Sequence, residues 1–341
     1  MKRLLFGLLG LLVAAAGVGA LYQSLATRRD LAAAAAPGRL VDIGGHRLHI
    51  WCTGTGTPPV ILENGLGGSS TGWGFVQPEV AKFTQVCSYD RAGMGYSDTG
   101  QSPRTARRIA DELATLANRS GISGPLILVG ASSGGFSARV FASEYGDRVA
   151  GLVLVDASHE DQEHTIPRLA PFAPFLAYVG VFRLLDVSFG QDPDSLAPSV
   201  RQFARATRFR AAGYEAAANE ILHIRESAAE VRDTRRELTI PVVVITGARG
   251  ADETWRKLQR DQAALSRRGC QIIAEGSGHV VQHDRPDVVV QAIRAIVDGT
   301  RGRKDVPLCA QGSAGNTRSK LPPKIFSLTS GATLSSSSVA N

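Results

Sequence analysis

Cysteine is scarce in this chain of 341 residues, and its placement argues against a metal centre. The four cysteines, Cys52, Cys87, Cys270 and Cys309, have neither the paired spacing of a zinc site nor a Cys-x-x-Cys redox motif. We therefore expect no bound metal.

The chain also lacks a basic helix interleaved with aromatic residues, the feature typical of nucleic-acid binding. Its formal net charge is +7, but the lysines and arginines are scattered along the sequence. We interpret the charge as a surface property and expect no nucleic-acid partner. With 43% hydrophobic residues, the chain is suited to one large globular domain rather than to disorder.

A long uncharged run is present at the beginning of the chain. Lys2 and Arg3 precede it, and it extends over 4–22, close to the roughly 20 residues that a membrane-spanning helix needs. The small residues Val18 and Ala20 also fit a secretory signal that is cut after Ala20. Both interpretations place the rest of the chain outside the cytoplasm, either membrane-anchored or secreted.

Composition divides the chain into three parts. Residues 23–38 are rich in alanine and end in Pro-Gly, which predicts a linker, so that 1–38 forms a membrane-anchor or signal segment with its linker. Residues 39–298 form the predicted folded domain. Residues 299–341 are rich in Ser, Gly, Thr and Pro without apolar periodicity, which predicts a disordered tail.

Short apolar runs alternate with helical patterns in the central part. The runs lie at 40–43, 47–52, 60–63, 85–89, 126–129, 151–155, 242–246 and 271–274. The helical patterns lie at 106–120, 135–145, 255–268 and 287–298. Several runs are too apolar to leave a solvent face, as in strands that helices cover on both sides. This pattern predicts an α/β fold with a mostly parallel eight-stranded sheet flanked by helices, and a ligand site at the carboxyl ends of the strands.

The interval 158–238 interrupts this alternation. It contains three prolines and a cluster of aromatic residues, followed by Arg- and Ala-rich helical sequence. We interpret it as an inserted helical lid over the site. The aromatic residues are Phe172, Phe175, Tyr178, Phe182 and Phe189. They either contact substrate or pack the lid, and we expect most of them to pack the lid.

The candidate nucleophile is Ser132, in Gly-Ala-Ser-Ser-Gly at the end of an apolar strand and the start of a helical pattern. A serine presented on such a sharp turn needs neighbours with almost no side chain, which Gly130 and Gly134 provide. The turn also brings Ser132 to a helix N-terminus, where free N–H groups favour developing negative charge. Its neighbour Ser133 is one residue too far from Gly130 for the motif.

A tetrahedral oxyanion is held by two converging N–H groups. Ser133 supplies one candidate N–H. The loop 64–68, Asn-Gly-Leu-Gly-Gly, follows the strand at 60–63 and can aim the second. Leu66 is our candidate for that donor.

A serine nucleophile needs a base, and His279 is the candidate. It lies in Gly-Ser-Gly-His directly after the last apolar run, which predicts a loop at the end of a strand. The nearby His283 lies closer to the following helix, and we expect it to make a structural contact. The remaining histidines belong to the first hairpin or to the lid, namely His46, His49, His164 and His223.

These residues together resemble the α/β-hydrolase superfamily over roughly 39–298. The segment 89–98, Tyr-Asp-Arg-Ala-Gly-Met-Gly-Tyr-Ser-Asp, is similar to the family's loop after its fourth strand. The resemblance implies that Arg91 and Ser97 tie this loop down and that Asp90 is structural. The chain departs from the family pattern at Asn64, where a histidine is usual.

The resemblance leaves two positions for the acid that orients His279. Most family members carry it after the seventh strand, where Asp252 lies, although later in the loop than usual. A minority, such as some haloalkane dehalogenases, carry it at the end of the sixth strand, where this chain has Asp156. A carboxylate at the end of a buried strand must be paired, and histidine is a natural partner. We favour Asp156 and keep Asp252 as the alternative.

The resemblance further implies that Cys52 and Cys87 lie on neighbouring strands, within reach of a disulfide. The expected function is hydrolysis of an ester or similar acyl bond of a small, hydrophobic substrate by Ser132, His279 and Asp156 without a cofactor. Three alternatives stay open: a cofactor-free peroxidase, an acyltransferase, and a non-catalytic ligand receptor. The membrane is an expected partner if the N-terminal segment is retained, and the sequence leaves the oligomeric state open.

Overall fold

The computed structural model describes residues 1–122, 124–188, 196–303 and 309. At its centre lies an eight-stranded sheet in the order β1-β2-β4-β3-β5-β6-β7-β8. The strands are β1 Arg39–Asp42, β2 Arg47–Thr53, β3 Val60–Glu63, β4 Val86–Tyr89, β5 Leu126–Ala131, β6 Val149–Val155, β7 Val242–Gly247 and β8 Gly269–Ala274. The pairs β1–β2 and β2–β4 are antiparallel, and the other neighbours are parallel. The predicted fold class is therefore confirmed.

Helices surround the sheet. They are α1 Lys2–Ala33, α2 Gln77–Val80, α3 Ala106–Arg119, α4 Gly134–Glu144, α5 Ala173–Tyr178, α6 Val181–Leu184, α7 Pro198–Thr207, α8 Ala211–Leu222, α9 Ile224–Asp233, α10 Glu253–Ala263, α11 Val281–Asp284 and α12 Pro286–Thr300. The helix expected over 255–268 thus ends at Ala263. The chain turns there because the Ser266 hydroxyl accepts the Arg268 N–H at 3.0 Å and donates to the Ile240 carbonyl at 2.7 Å.

The sheet has an apolar layer on each face, which explains why its strands lack a polar side. On β5, Leu126 and Leu128 belong to the layer that contains Leu113 of α3. The alternate residues Ile127 and Val129 belong to the other layer, with residues of α12. Because successive side chains of a strand point to opposite faces, a strand covered on both sides has to be apolar throughout.

The interval between β6 and β7 is helical, as expected, and contains the short helix Ala170–Phe172 followed by α5 to α9. We call residues 158–238 the cap; its residues 189–195, including Phe189, lie outside the described residues. Phe182 stacks on Tyr214 with ring centroids 4.6 Å apart. The expectation that most aromatic residues pack the cap is wrong for Phe172, Phe175 and Tyr178, which are exposed.

The N-terminal helix α1 continues to Ala33 and includes most of the predicted linker. Alanine has the highest helix propensity, so the Ala-rich stretch extends the helix instead of ending it. By length and composition α1 could cross a membrane. At the other end α12 continues to Thr300, and the prediction of a disordered tail falls mostly on 304–308 and 310–341, outside the described residues.

Two disulfides are present. Cys52 pairs with Cys87 in the register of β2 and β4, as the resemblance implied. Cys270 of β8 pairs with Cys309, a bond that the sequence did not predict.

Candidate active site

Ser132 lies on the sharp turn between β5 and α4, with a backbone φ of 50°. Its N–H donates to the Val155 carbonyl at 3.1 Å, and its own carbonyl accepts the Ser158 N–H at 2.9 Å. The turn has no room for larger neighbours: a Cβ at Gly134 would lie 2.4 Å from the Asn64 carbonyl oxygen. The small residues of the motif are therefore required by close packing as well as by the strained turn.

His279 brings its two ring nitrogens to two different partners. Nε2 lies 3.0 Å from Oγ of Ser132, and Nδ1 lies 2.6 Å from Oδ2 of Asp156. The loop that carries the ring packs closely against the end of β7, since a Cβ at Gly247 would lie 2.2 Å from the Gly278 carbonyl oxygen. The structure thus brings together the three side chains that the sequence selects.

Asp156 is 4% exposed and uses both carboxylate oxygens. While Oδ2 faces His279, Oδ1 accepts the Gly247 N–H at 3.0 Å and the indole N–H of Trp255 at 2.9 Å. Its backbone φ of 42° turns the side chain at the end of β6. Sequence reasoning missed Trp255, which lies 99 positions away, because no local pattern indicates such a contact.

The alternative acid, Asp252, has a different role in the structure. It is the N-cap of α10, and its Oδ1 accepts the backbone N–H of Trp255 at 2.7 Å. An aspartate in this position satisfies a helix N–H that would otherwise have no partner. Of the two candidates, the structure therefore places Asp156 against His279.

The two residues predicted to supply oxyanion N–H groups, Leu66 and Ser133, lie near Ser132. Gly65 packs directly on it, since a Cβ at Gly65 would lie 2.9 Å from Cβ of Ser132, and Leu66 follows in the cavity wall. Ser133 begins α4 as its N-cap. Within the described residues, neither the Leu66 N–H nor the Ser133 N–H has an acceptor. Both are therefore available to a bound oxygen.

Asn64 stands where the family usually has histidine, and its amide shapes the loop. Oδ1 accepts the Gly65 N–H at 2.8 Å, and Nδ2 donates to the Ser69 carbonyl at 2.8 Å. The Asn64 amide fills the space beside two glycines. A Cβ on Gly68 would lie 2.6 Å from Asn64 Cγ, and a Cβ on Gly72 would lie 2.2 Å from Asn64 Nδ2. The substitution therefore keeps a polar anchor under the loop.

Arg91 connects this loop to the cap. Its guanidinium donates to the carbonyls of Asn64 and Gly65, to Glu63 at 2.6 Å and to Glu220 of α8 at 2.8 Å. All the charged groups in this cluster are buried. Burial raises the pKa of the Glu63 carboxyl, and the positive charge of Arg91 opposes that shift. The sequence led us to expect that Arg91 ties down its own loop, and it gave no sign of the bonds to loop 64–68 and to the cap.

Two other polar side chains have structural roles, in agreement with expectation. Asp90 is buried and accepts hydrogen bonds from the His49 ring at 2.8 Å, the Ser70 N–H at 2.6 Å and the Tyr96 N–H at 2.9 Å. Burial alone would raise the pKa of the Asp90 carboxyl, but His49 and the Ser70 and Tyr96 N–H groups together outweigh burial and lower that pKa. His283 donates to the Gly72 carbonyl at 2.8 Å.

A cavity of about 370 Å³ opens above Ser132 and His279. The loop 64–69 forms one wall, and the cap contributes Thr207, Arg208 and Tyr214. The inserted helices therefore cover the site. Among the described residues, no group of three or more His, Cys, Asp or Glu side chains could hold a metal ion.

Residues 60–292 match the model of a family described as "Alpha/beta hydrolase family". Among curated proteins, "Probable transporter efuK" from Hormonema carpetanum is 33% identical over 138 residues, which cover 38% of this chain and only 19% of that protein. A 2-hydroxy-6-oxononadienedioate/2-hydroxy-6-oxononatrienedioate hydrolase from Burkholderia vietnamiensis is 36% identical over 130 residues, 36% of this chain and 43% of that protein.

Among solved structures, a thermophilic esterase from Thermogutta terrifontis is 24% identical with a TM-score of 0.59, covering 78% of this chain and 99% of that one. At this identity the likeness shows the fold. The family match extends over more than half of the chain and includes Ser132, Asp156 and His279. The chain belongs to the alpha/beta hydrolase family.

Proposed function

We propose that the protein is a serine hydrolase that cleaves an ester or similar acyl bond of a small molecule. The observation that carries this proposal is the arrangement of His279, whose ring lies 3.0 Å from the Ser132 hydroxyl and 2.6 Å from the Asp156 carboxylate. This arrangement allows the ring to accept the serine proton while the carboxylate stabilises the imidazolium that forms.

In the first half of the reaction, Ser132 Oγ bonds to the carbonyl carbon and its proton passes to His279 Nε2. The carbonyl oxygen becomes an oxyanion and accepts hydrogen bonds from the Leu66 and Ser133 N–H groups. The bond from carbon to the leaving oxygen then breaks, and His279 returns its proton to the departing alcohol. The product is an acyl group on Ser132.

In the second half, water attacks the acyl carbon and gives a proton to His279. The bond from carbon to Ser132 Oγ breaks, and Oγ takes that proton back as the carboxylic acid leaves. Asp156 holds the ring in one tautomer throughout, and its hydrogen bonds from Gly247 and Trp255 fix its own position.

The cavity bounds the substrate class. A volume of about 370 Å³ is at the lower end of the range for small-molecule sites. Its wall combines loop backbone with the side chains of Met94, from the loop after β4, and Tyr214, from the cap. These features favour a small substrate with an apolar part, and the similarity to a hydrolase from Burkholderia vietnamiensis supports the reaction class.

We propose that the enzyme lies outside the cytoplasm, either anchored to the membrane or secreted. Two disulfides join all four cysteines, which is typical of an oxidising compartment. The apolar helix α1 supplies a means of export or anchoring.

A fluorophosphonate probe tests the proposal, because it reacts covalently with an activated serine. We expect labelling of the wild type, none of Ser132→Ala, and retained labelling of the neighbouring control Ser133→Ala. Hydrolysis of short-chain p-nitrophenyl esters should be lost in Ser132→Ala and in His279→Ala. A folded wild type that neither reacts with the probe nor turns over any ester would contradict the proposal and favour a ligand receptor.

A further inference from the structure

The cap exposes a concentrated set of large apolar side chains. Seven of them, each 50–80% exposed, lie within residues 169–187: Leu169, Phe172, Phe175, Tyr178, Leu184, Leu185 and Val187. We call this surface the cap face. Elsewhere in the described part of the folded domain, the exposed large apolar residues reach only 36–38%, at Leu40, Leu66, Leu222 and Ile273. Single exposed apolar residues are ordinary, whereas a contiguous group indicates an interaction surface.

The N-terminal helix α1 docks beside the cap face. Gly19 lies against the end of α5, where a Cβ would be only 2.4 Å from the Val179 carbonyl oxygen. Further along α1, Arg183 of α6 donates to Gln23 at 2.8 Å and to Asp30 at 2.6 Å. The Gln23 amide also donates to the Phe209 carbonyl. These directed bonds set the position of α1 relative to the cap.

The docked part of α1 includes the end of its apolar run. Residues 1–15 are all exposed, and burial begins with the half-buried Ala16, Gly19 and Ala20. A helix rises 1.5 Å per residue, so Gly19 lies about 5 Å from Tyr22, where the run ends. When residues 4–22 span a hydrocarbon core of roughly 30 Å, Gly19 and the neighbouring Val179 lie at its boundary. The cap face is then at the level of the lipid headgroups.

The residues around the cap face have the character of a membrane interface. Tyrosine is enriched at that depth, because its ring is apolar and its hydroxyl polar, and Tyr178 stands within the cap face. Exposed positive charges are present on the same two elements, at Arg28 and Arg29 of α1 and at Arg168, directly before Leu169 in the cap. Such side chains can reach lipid phosphates while their stems cover apolar surface.

We propose that the cap face lies in the interfacial layer of the same bilayer that α1 crosses, so that α1 and the cap bind the membrane together. The occupant of the cap face is therefore lipid. Because the residue after Val187, Ser188, lines the cavity above Ser132, the cap face adjoins the site. Delivery of a lipid-soluble ester from the membrane, past the cap face, to Ser132 rests on the proposed function. The contact of the cap face with the membrane does not rest on it.

The depth of the cap face can be measured on the full-length chain in phosphatidylcholine vesicles. A single cysteine is introduced as Phe175→Cys or Leu184→Cys and labelled with an environment-sensitive fluorophore under non-reducing conditions. Lys257→Cys, an exposed site on α10, is the matched control. With doxyl-labelled lipids we expect the cap-face probes to be quenched about twofold or more and the control to be unaffected. Equal quenching at the two kinds of site would overturn the proposal.

A second set of variants separates lipid from other occupants. Phe172→Glu with Phe175→Glu should abolish the lipid quenching of the Leu184→Cys probe, while Leu40→Glu should leave it unchanged; an unchanged melting temperature shows that the variants fold. A blue-shifted probe that lipid does not quench would indicate a second protein copy on the cap face and overturn the proposal. An intact mass that shows cleavage after Ala20 would also overturn the proposal. Because no readout uses catalysis, an inactive protein leaves the test valid.

Discussion

Asp156 lies 2.6 Å from the Nδ1 nitrogen of His279 although 123 positions separate the two residues in the chain. The carboxylate and the imidazole come from loops after different strands, β6 and β8, with β7 between them. Only one oxygen of Asp156 faces the ring, and the other is held by Gly247 and Trp255. The orientation of His279 in our proposal therefore depends on contacts made across three strands.

Asp156→Asn should reduce kcat for ester hydrolysis by about four orders of magnitude, because an amide stabilises the wrong tautomer and cannot neutralise the imidazolium. The matched control is Asp252→Asn, which keeps a good N-cap at the start of α10 and should leave kcat within about twofold of the wild type. Steady-state kinetics with one p-nitrophenyl ester compares the two. A larger loss in the Asp252 variant would reverse our assignment of the acid.

Trp255→Phe removes the indole N–H that donates to Asp156 at 2.9 Å and keeps most of the ring's packing. We expect kcat/KM to fall by about tenfold, or roughly 1.4 kcal/mol, because the carboxylate loses one of the donors that fix its position. Trp51→Phe, on β2, serves as the control for replacing a tryptophan elsewhere. Equal kinetics of the two variants would show that the Trp255 bond has no part in positioning Asp156.

The fold was largely predictable because its signals are local. Each buried strand is an apolar run between turn residues, and Ser132 and His279 lie in the turn or loop that follows such a run. The roles of these two residues stay predictions, but their placement together follows from the order of the strands. The choice between Asp156 and Asp252 could not be made locally, since both lie at the carboxyl edge of the sheet. It depends on the backbone turn at Asp156, which brings the side chain toward His279.

Other features could not be predicted from the sequence, because composition does not distinguish a buried residue from an exposed one or a helix from a linker. Phe172 and Phe175 have the same apolar character as core residues, and only the packing of the cap shows that they are exposed. The alanine-rich stretch after Gln23 is compatible with a helix as well as with a linker. In the structure it is helical, and Gln23 of the same helix binds the cap. Cys309 follows a segment without periodicity, so its bond to Cys270 had no sequence signal.

The buried Glu160 should make stability depend on pH. Burial alone would raise the pKa of its carboxyl. The hydrogen bonds and charge of Arg139, at 2.5 and 2.8 Å, together with the Glu160 backbone N–H and the nearby His159, outweigh burial and lower that pKa far below the ordinary value of 4.5. A folded-state pKa below the unfolded value means that this contribution is fully present above about pH 5 and is lost as the pH falls below it. We expect the melting temperature of the wild type to fall in that acid range.

The variant Glu160→Gln tests whether Glu160 causes the loss of stability at acid pH. It should lower the stability at neutral pH by about 3–5 kcal/mol, because the buried Arg139 loses its counter-charge, and it should flatten the decline toward about pH 3. The exposed pair Glu237–Arg267 provides the control, since Glu237→Gln removes a charge that solvent already screens. Thermal unfolding curves across the pH range give the comparison, and parallel acid limbs for Glu160→Gln and the wild type would contradict the assignment.

The disulfide between Cys52 and Cys87 should stabilise the antiparallel edge of the sheet. It joins β2 to β4 across a sequence separation of 35, for which the chain-entropy account gives about 4 kcal/mol. The double variant Cys52→Ser with Cys87→Ser should therefore unfold at a clearly lower denaturant concentration than the wild type. Mass spectrometry of exported protein should show a gain of about 4 Da on reduction, two hydrogens for each of the two bonds. Free thiols at Cys52 and Cys87 in exported protein would exclude the bond and remove one argument for an oxidising compartment.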